Sequence, residues 1–439
     1  MPTIRPGPPA APVDRTARAR RTGVVLTVVV RHAVAHGREL GRPAPSRVAR
    51  RARRLRLLLE DLGATAIKIG QILSTRPDVL APEYVAELAR LQDSAPPESP
   101  LVIAAVITRE LGAPPSVVFT SFESEPIAAA SIGQAHAAVH SDGTPVIVKV
   151  RRPGVVAQVE VDLDILDRTV RVVARCSRAA RRYDLLGLTR QFAATLRAEL
   201  DYRVEAANAA RFATNFADRT DLHIPHVYAE QTTARVITLE RCFGIKPDDL
   251  DRLTRAGIDL PALAQRCADL MLTMIFEHGF FHADPHAGNF FVGDDGTIGL
   301  IDFGMVGELD HPTRAALTRV LAAVATADVD QLADAALALG MTTGPVDRVA
   351  LMRDLDALVQ THLEQPLGEL QVGELLVAVM GTMRRHRLRM PVDLALLAKT
   401  FAMSEGLAAR LDPEFRMAPA VLVHVQRFLV EEATRGAVA

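Results

Sequence analysis

Residues 281–304 read FHADPHAGNFFVGDDGTIGLIDFG. Two short apolar runs, Phe290–Val292 and residues 298–301, flank an Asp295-Gly296 pair. Asp-Gly between such runs is a strong hairpin signal. Antiparallel pairing sets the start of one strand beside the end of the other, with facing residues about 5 Å apart. Asn289 stands just before the first strand and Asp302 just after the second. The pattern therefore predicts two oxygen donors at one end of one hairpin. Such a pair suits Mg²⁺, which takes few protein ligands and lets phosphate and water complete its shell. Asp284 lies five residues before Asn289, in a loop that Pro285 and Gly288 keep irregular. His282 and His286 have HxxxH spacing, but Pro285 argues against one helix presenting both. They are expected to brace the loop.

Outward from this stretch, the chain has 439 residues, room for two or three domains or one large two-lobed unit. About half the residues (49%) are apolar, enough for a sizeable core, and the net charge is −1. No whole-chain field favours nucleic acid, and none is expected as a partner. Cys176, Cys242 and Cys267 form no CxxC pair, so a disulfide framework or zinc site is not expected, and a reducing cytoplasm is. The apolar run GVVLTVVV (23–30) has eight residues with arginines around it, whereas a span needs about 20. The chain reads as cytoplasmic, or peripheral at the inner face of the plasma membrane.

Residues 1–56 form an Arg-rich arm whose only acidic residues are Asp14 and Glu39, with residues 1–20 expected to be disordered. It reads as a solvated tail with an exposed helix, or as a contact for anionic lipid. Residues 57–97 form a helical extension: periodicity marks a helix over 58–75 that Pro77 stops, then another from Pro82 to about Gln92. Residues 98–243 form a mixed lobe. It opens with a helix at 102–112, then strands over 117–150 including VVFTSF and PVIVKV, a helical insert over 156–217, and strands again over 223–243. Residues 244–439 form a mostly helical lobe interrupted by the hairpin.

Alternation in PVIVKV places Val146, Val148 and Val150 on one face and Ile147 and Lys149 on the other. Lys149 is either an edge-strand charge or a phosphate-binding lysine. In TLRAELDYRVEAAN (195–208), Glu199, Asp201 and Glu205 are candidate partners for a lysine, and Asp201 and Glu205 share a helix face. A strand Lys, a helix Glu, a loop Asp, an Asn five residues later and then Asp-Phe-Gly follow the phosphoryl-transfer plan. Each is weak alone; together and in order they are specific.

Here the chain resembles the AarF/UbiB family of atypical kinases. LGATAIKIGQILSTRPDVLAPEYVAELARLQD (62–93) is similar to the family's KxGQ segment, with Lys68, Gly70 and Gln71 as the motif. PIAAASIGQAHAA (126–138) resembles its Ala-rich loop, VIVKVRRPG its nucleotide-lysine strand, and ELDYRVEAAN its ExD segment with the αC glutamate. FHADPHAGN and LIDFG resemble its catalytic and metal loops. The match runs from about residue 55 to 415.

The resemblance implies an α+β, atypical protein-kinase-like two-lobed fold with KxGQ helices and a mostly helical C-lobe. It implies an enzyme that uses ATP or ADP with Mg²⁺. Lys149 is expected at the α/β-phosphates with Glu205 as its ion-pair partner, Asn289 and Asp302 at the metal, and Asp284 at the acceptor. Lys68 and Gln71 are expected over the nucleotide site near Glu199 and Asp201. Ala128, Ala129, Ala130 and Ser131 stand where ordinary kinases place phosphate-loop glycines, so phosphate geometry and ADP/ATP preference are expected to differ. Ile147, larger than the residue the kinase plan places over the base, is expected to narrow the base pocket, and 239–244 (LERCFG, with Glu240) is the expected hinge.

After Gly304 the chain enters a helix within about ten residues, with no Ala-Pro-Glu motif. The peptide-docking platform is therefore expected to be missing. That favours a small, lipid-like acceptor such as a quinone precursor, or ATP hydrolysis coupled to one. Two alternatives stand beside this reading. One is a small-molecule kinase of the aminoglycoside/choline type, disfavoured by the KIGQ segment. The other is a nucleotide-responsive scaffold at a membrane.

Overall fold

The computed structural model describes residues 14–39, 47–74, 80–91, 95–177, 185–342, 345–363, 370–389 and 392–438. In chain order the first elements are α1 (Arg15–Glu39), α2 (Arg47–Leu62), α3 (Ala64–Ser74), α4 (Pro82–Leu88), α5 (Pro100–Leu111) and α6 (Pro115–Val118). There follow β1 (Ser121–Phe122), β2 (Ala128–Ala129), β3 (Gly133–Val139), β4 (Pro145–Arg151), α7 (Val155–Cys176), α8 (Leu185–Glu199) and α9 (Tyr202–Asn215). Next come β5 (Leu222–His223), β6 (Val236–Glu240), α10 (Leu250–Arg255), α11 (Leu260–Thr273), β7 (Phe280–His282), β8 (Phe290–Val292), β9 (Ile298–Leu300) and β10 (Val306–Glu308). The chain ends with α12 (His311–Ala325), α13 (Val329–Leu339), β11 (Met341–Thr342), α14 (Arg348–Leu363), α15 (Val372–Arg385), β12 (Leu388–Arg389), α16 (Val392–Leu411) and α17 (Met417–Val438).

The chain divides into two compact units. The first comprises residues 1–74, 79–204 and 228–239, the second residues 75–78, 205–227 and 240–439. In the first unit the sheet order is β1-β3-β4-β6, with β2 paired on β3. The β3–β4 hairpin pairs Gly133 with Arg151 at one end and Val139 with Pro145 at the other. Val146, Val148 and Val150 are fully buried against Ile103, Ile107 and Phe119, while Ile147 and Lys149 on the opposite face are half-buried. The alternation in PVIVKV is thus realised. A second core joins α7 and α8 through Val159, Leu163, Phe192 and Leu196, with Ile69 and Ile72 of α3 packed on it. A third joins α2, α3 and α4 through Leu59, Ala66, Leu88 and Leu91.

In the second unit one large core gathers Leu263, Met271, Ile275, Phe281, Leu317, Leu355, Leu375 and Phe401. Carboxylates cap several of its helices. Asp259, Asp310 and Asp328 accept from backbone N–H groups in the first turns of α11, α12 and α13, which satisfies donors that a helix start leaves unpaired. The expected hairpin is present: β8 and β9 pair antiparallel as Phe290–Leu300, Phe291–Gly299 and Val292–Ile298. Gly296 in its turn has φ +81°. β5 adds to β9 in parallel, and β10 pairs with β7.

Several local expectations are corrected. The single helix over 58–75 is two helices, because Gly63 adopts φ +91° between α2 and α3. In VVFTSF the first residues are helical and only Ser121–Phe122 is strand, since Pro114 and Pro115 start a short helix instead. The helix from Pro82 ends at Leu88. Arg15–Arg20 belong to α1, although disorder was expected there; residues 1–13 lie outside the described residues, as does the helix stop at Pro77. Among the described residues no helix is long and apolar enough to cross a membrane.

Candidate functional site

In the second unit the hairpin brings its two ends together as its pattern requires. The Ile301 N–H donates to the Asn289 carbonyl at 2.9 Å, so Asp302 follows directly after a residue bonded to Asn289. Asn289 is buried, and its side-chain amide donates to the Asp284 carbonyl at 3.0 Å. That bond commits Asn289 Nδ2 and leaves Oδ1 as the atom able to face a cation. Asp302 has φ +64°, a left-handed backbone that Asp tolerates better than most residues, and its Oδ1 accepts from the Gly304 N–H at 3.3 Å.

His282 joins the two loops. Its Nδ1 accepts from the Asp284 N–H at 3.2 Å, and its Nε2 lies 2.7 Å from the Asp302 carbonyl. The second bond requires a proton on Nε2 and the first a lone pair on Nδ1, which selects the neutral imidazole. Burial pushes the His282 pKa down, in agreement. Phe303 is fully buried, 5.2 Å centroid to centroid from Phe212, and the Asn208 amide donates to its carbonyl at 2.9 Å. The expected bracing role of His282 is seen in its contacts. His286 is half exposed, with Nε2 3.5 Å from Asp284 Oδ2.

Three cations in this unit carry no sequence motif. Lys246 Nζ donates to the Gly288 carbonyl at 2.6 Å and lies 3.4 Å from the Phe291 ring centroid, which steadies the loop before Asn289. Burial holds its pKa below the ordinary lysine value. Arg219 pairs with Asp221 and Asp269, fixing the segment beside β9. Lys399, on α16, donates to Asp284 Oδ1 at 2.9 Å. Its one sequence signal is that it is a lone cation in the apolar run LALLAKTFAM (394–403).

In the first unit Lys149 lies on β4 opposite Ala135 of β3. Lys68 of α3 forms an ion pair with Glu199, the last residue of α8. Gln71 does not join them, because its amide donates to the Leu91 carbonyl at 3.1 Å. Asp201 pairs with Arg203, which holds its carboxyl below the usual range. Gly70 of the motif is a packing residue: a Cβ there would lie 2.8 Å from Leu59 Cδ1 and closer still to Leu91. Glu205 is buried in the first turn of α9. Glu240, in the second unit, is 3.1 Å from His223 and accepts from the His226 N–H at 3.1 Å.

The Ala-rich loop is a tight hairpin tip. The Ala130 N–H donates to the Gly133 carbonyl at 2.8 Å, and Ala128 and Ala129 pair with Ala135 and Gln134. None of Ala128, Ala129, Ala130 and Ser131 has positive φ, as their Cβ atoms dictate. Arg152, just past β4, clamps the tip: Nε donates to the Ala130 carbonyl at 2.8 Å and Nη2 to the Pro96 carbonyl at 2.6 Å. Arg151 is buried and caps the end of α8 through the carbonyl of Leu200, with a second bond to Ala234 at 3.0 Å.

After Gly304 only β10 and the Asp310 cap precede α12, so the short exit read from the sequence is present.

Residues 90–336 match the ABC1 atypical kinase-like domain, and residues 355–416 match the UbiB helical domain. The chain is similar to the probable protein kinase UbiB of Azotobacter vinelandii, 38% identical over 83% of this chain and 68% of that protein. It is also similar to the uncharacterized protein sll0095 of Synechocystis, 34% identical over 90% of this chain and 70% of that protein. Among solved structures, Rv3197 of Mycobacterium tuberculosis, determined as a complex with erythromycin, matches with a TM-score of 0.57 at 27% identity. That match covers 83% of this chain and 92% of the neighbour.

Proposed function

Since the chain belongs to the ABC1/UbiB family of atypical kinase-like proteins, we propose that it binds a Mg²⁺-nucleotide and transfers or hydrolyses the terminal phosphoryl. The proposed acceptor class is a small, lipid-like molecule, with a place in isoprenoid-quinone or lipid metabolism. The observation that carries the reading is the hairpin end, where Asn289, Asp302 and Asp284 are tied together through His282, the Asn289 side-chain amide on the Asp284 carbonyl and the backbone bond from Ile301 to Asn289. A carbonyl oxygen and a carboxylate from adjacent chain segments make a hard, two-donor set that fits Mg²⁺, which keeps most of its shell for phosphate and water.

In this reading Asn289 and Asp302 would hold the ion, which when bound neutralises charge on the phosphates. Lys149 would hold the α/β-phosphates, and Glu205 would orient it. The Ala-rich tip, locked by Arg152, would bound the phosphates with N–H groups in ordinary backbone geometry. Asp284 would orient the acceptor oxygen. The short exit to α12 favours an acceptor smaller than a peptide, because no extended segment after Gly304 offers a docking ledge.

The test is the melting temperature with Mg-ATP and Mg-ADP, measured for wild type and Asp302→Asn, then ATP hydrolysis with and without anionic liposomes and quinone-precursor phenols. Wild type is expected to be stabilised by Mg-nucleotide and Asp302→Asn much less so. No stabilisation of wild type would sink the nucleotide reading. An unchanged shift in Asp302→Asn would remove the metal assignment.

A further inference from the structure

We propose that Lys399 is a catalytic cation that contacts the terminal phosphoryl while holding Asp284; this rests on the nucleotide reading above. Lys399 lies on α16, inside the region that matches the UbiB helical domain, whereas Asp284 lies inside the region that matches the ABC1 domain. The two meet at 2.9 Å between Nζ and Asp284 Oδ1.

Three features make this more than a surface pair. First, α16 is locked against the catalytic loop from behind. Thr400 Oγ1 lies 3.5 Å from the His282 carbonyl, and Leu397, Ala398 and Phe401 are buried in the main core. Lys399 is thus presented from a rigid element, and its ammonium is delivered to one carboxylate oxygen. Second, a lysine ammonium has three N–H donors. Among the described residues Asp284 is its one hydrogen-bond acceptor, and the pair is neither deeply buried nor fully open, at 26% and 32% exposure. Third, the place is set by the reaction. In-line transfer puts the acceptor oxygen between Asp284 and the terminal phosphorus, within about 3–3.5 Å of the latter. A cation bonded to Asp284 is then within reach of a terminal phosphoryl oxygen.

The step balances simply. The acceptor oxygen forms a bond to the terminal phosphorus as the bond to the β–γ bridging oxygen breaks, leaving ADP. The acceptor proton goes to Asp284 and from there to water. A loose transition state needs little base assistance before the phosphoryl is transferred, so a lysine held on Oδ1 is compatible with Asp284 receiving the proton late. Lys399 would offset charge on the equatorial oxygens on the Asp284 side, while Asn289 and Asp302 would hold the ion, which would neutralise charge on the phosphates.

The test uses the full chain with Lys399→Met and Lys399→Arg, probed with Mg-ADP and with a non-hydrolysable Mg-ATP analogue. Because Lys399 contacts the terminal phosphoryl alone, Lys399→Met is expected to keep the Mg-ADP stabilisation. It should lower the ATP-analogue affinity relative to ADP by about tenfold, and kcat for ATP turnover by about 10- to 1,000-fold. Lys399→Arg should recover part of both. The unliganded melting temperature of either variant should stay within about 3 °C of wild type. Equal loss for both nucleotides, or no change for either, overturns the assignment while leaving the nucleotide reading intact. A wild type that responds to neither nucleotide removes both.

Discussion

The side-chain amide of Asn289 donates to the backbone carbonyl of Asp284 at 3.0 Å, so the residue proposed to face a cation also fixes the loop that carries the carboxylate proposed to orient the acceptor. One bond sets both the direction of Asn289 Oδ1 and the path of residues 284–289.

Replacing Asn289 by Asp keeps an oxygen for the cation and removes this donor. The part-buried Asp284 carbonyl would keep the His286 N–H at 2.8 Å but face a carboxylate in place of the amide. Asn289→Asp should lose about 1–3 kcal/mol of stability without ligand. Mg-nucleotide should restore more stability to it than to wild type, because a cation would neutralise the new charge. Chemical denaturation with and without Mg-nucleotide checks this; equal ligand increments in the two proteins would show that Asn289 does not face the ion.

Gly70 lies at the meeting of α2, α3 and α4, where a Cβ would press on Leu59 and Leu91. Gly70→Ala gains intrinsic helix propensity of about 1 kcal/mol. Overpacking should outweigh that gain and leave a net loss of about 1–2 kcal/mol. A denaturation midpoint higher than wild type would mean that the three helices spread at no cost.

Lys68 and Glu199 join α3 to the end of α8, each with no more than about a quarter of its side chain exposed. A double-mutant cycle with Lys68→Met and Glu199→Gln should give a coupling of about 0.5–1 kcal/mol, smaller at high salt. A coupling of zero would mean that the pair adds nothing to the docking of α3.

Glu405 on α16 accepts from the Val372 and Gly373 N–H groups at 2.7 and 3.2 Å, capping α15. Burial raises its pKa despite these donors. The folded state therefore holds the Glu405 proton more tightly than the unfolded chain. Its contribution to stability is fully present below the ordinary carboxylate value and declines as pH rises through the raised value. Glu405→Gln should flatten that part of the pH–stability curve, and Glu405→Ala should lose about 1–2 kcal/mol through the missing cap. Thermal melts from pH 4 to 8 read both effects, on the order of the range where Glu titrates. An unchanged pH profile in Glu405→Gln would contradict the burial argument.

The elements legible in the sequence share one property: their signal is local. The hairpin follows from an Asp-Gly turn between two apolar runs, and the β4 alternation from a period of two. The two helices either side of Gly63 look like one in periodicity, because periodicity does not register a single left-handed residue. Lys246 and Lys399 carry no motif, and the VIVKVRRPG segment does not reveal the clamp that Arg152 makes, since each acts on a backbone or carboxylate tens of residues away.

The sequence by itself determined which residue types could do phosphoryl chemistry, and that Asn289 and Asp302 would close on each other, because one turn with a fixed register forces that pairing. Only the tertiary structure decided which remote segments meet. His282 bridges Asp284 to Asp302, Gly70 yields its space to leucines, and Lys399 reaches Asp284 across 115 positions. Those relations arise from how helices pack in three dimensions, and no local pattern of residues encodes the distance between two segments remote in the chain.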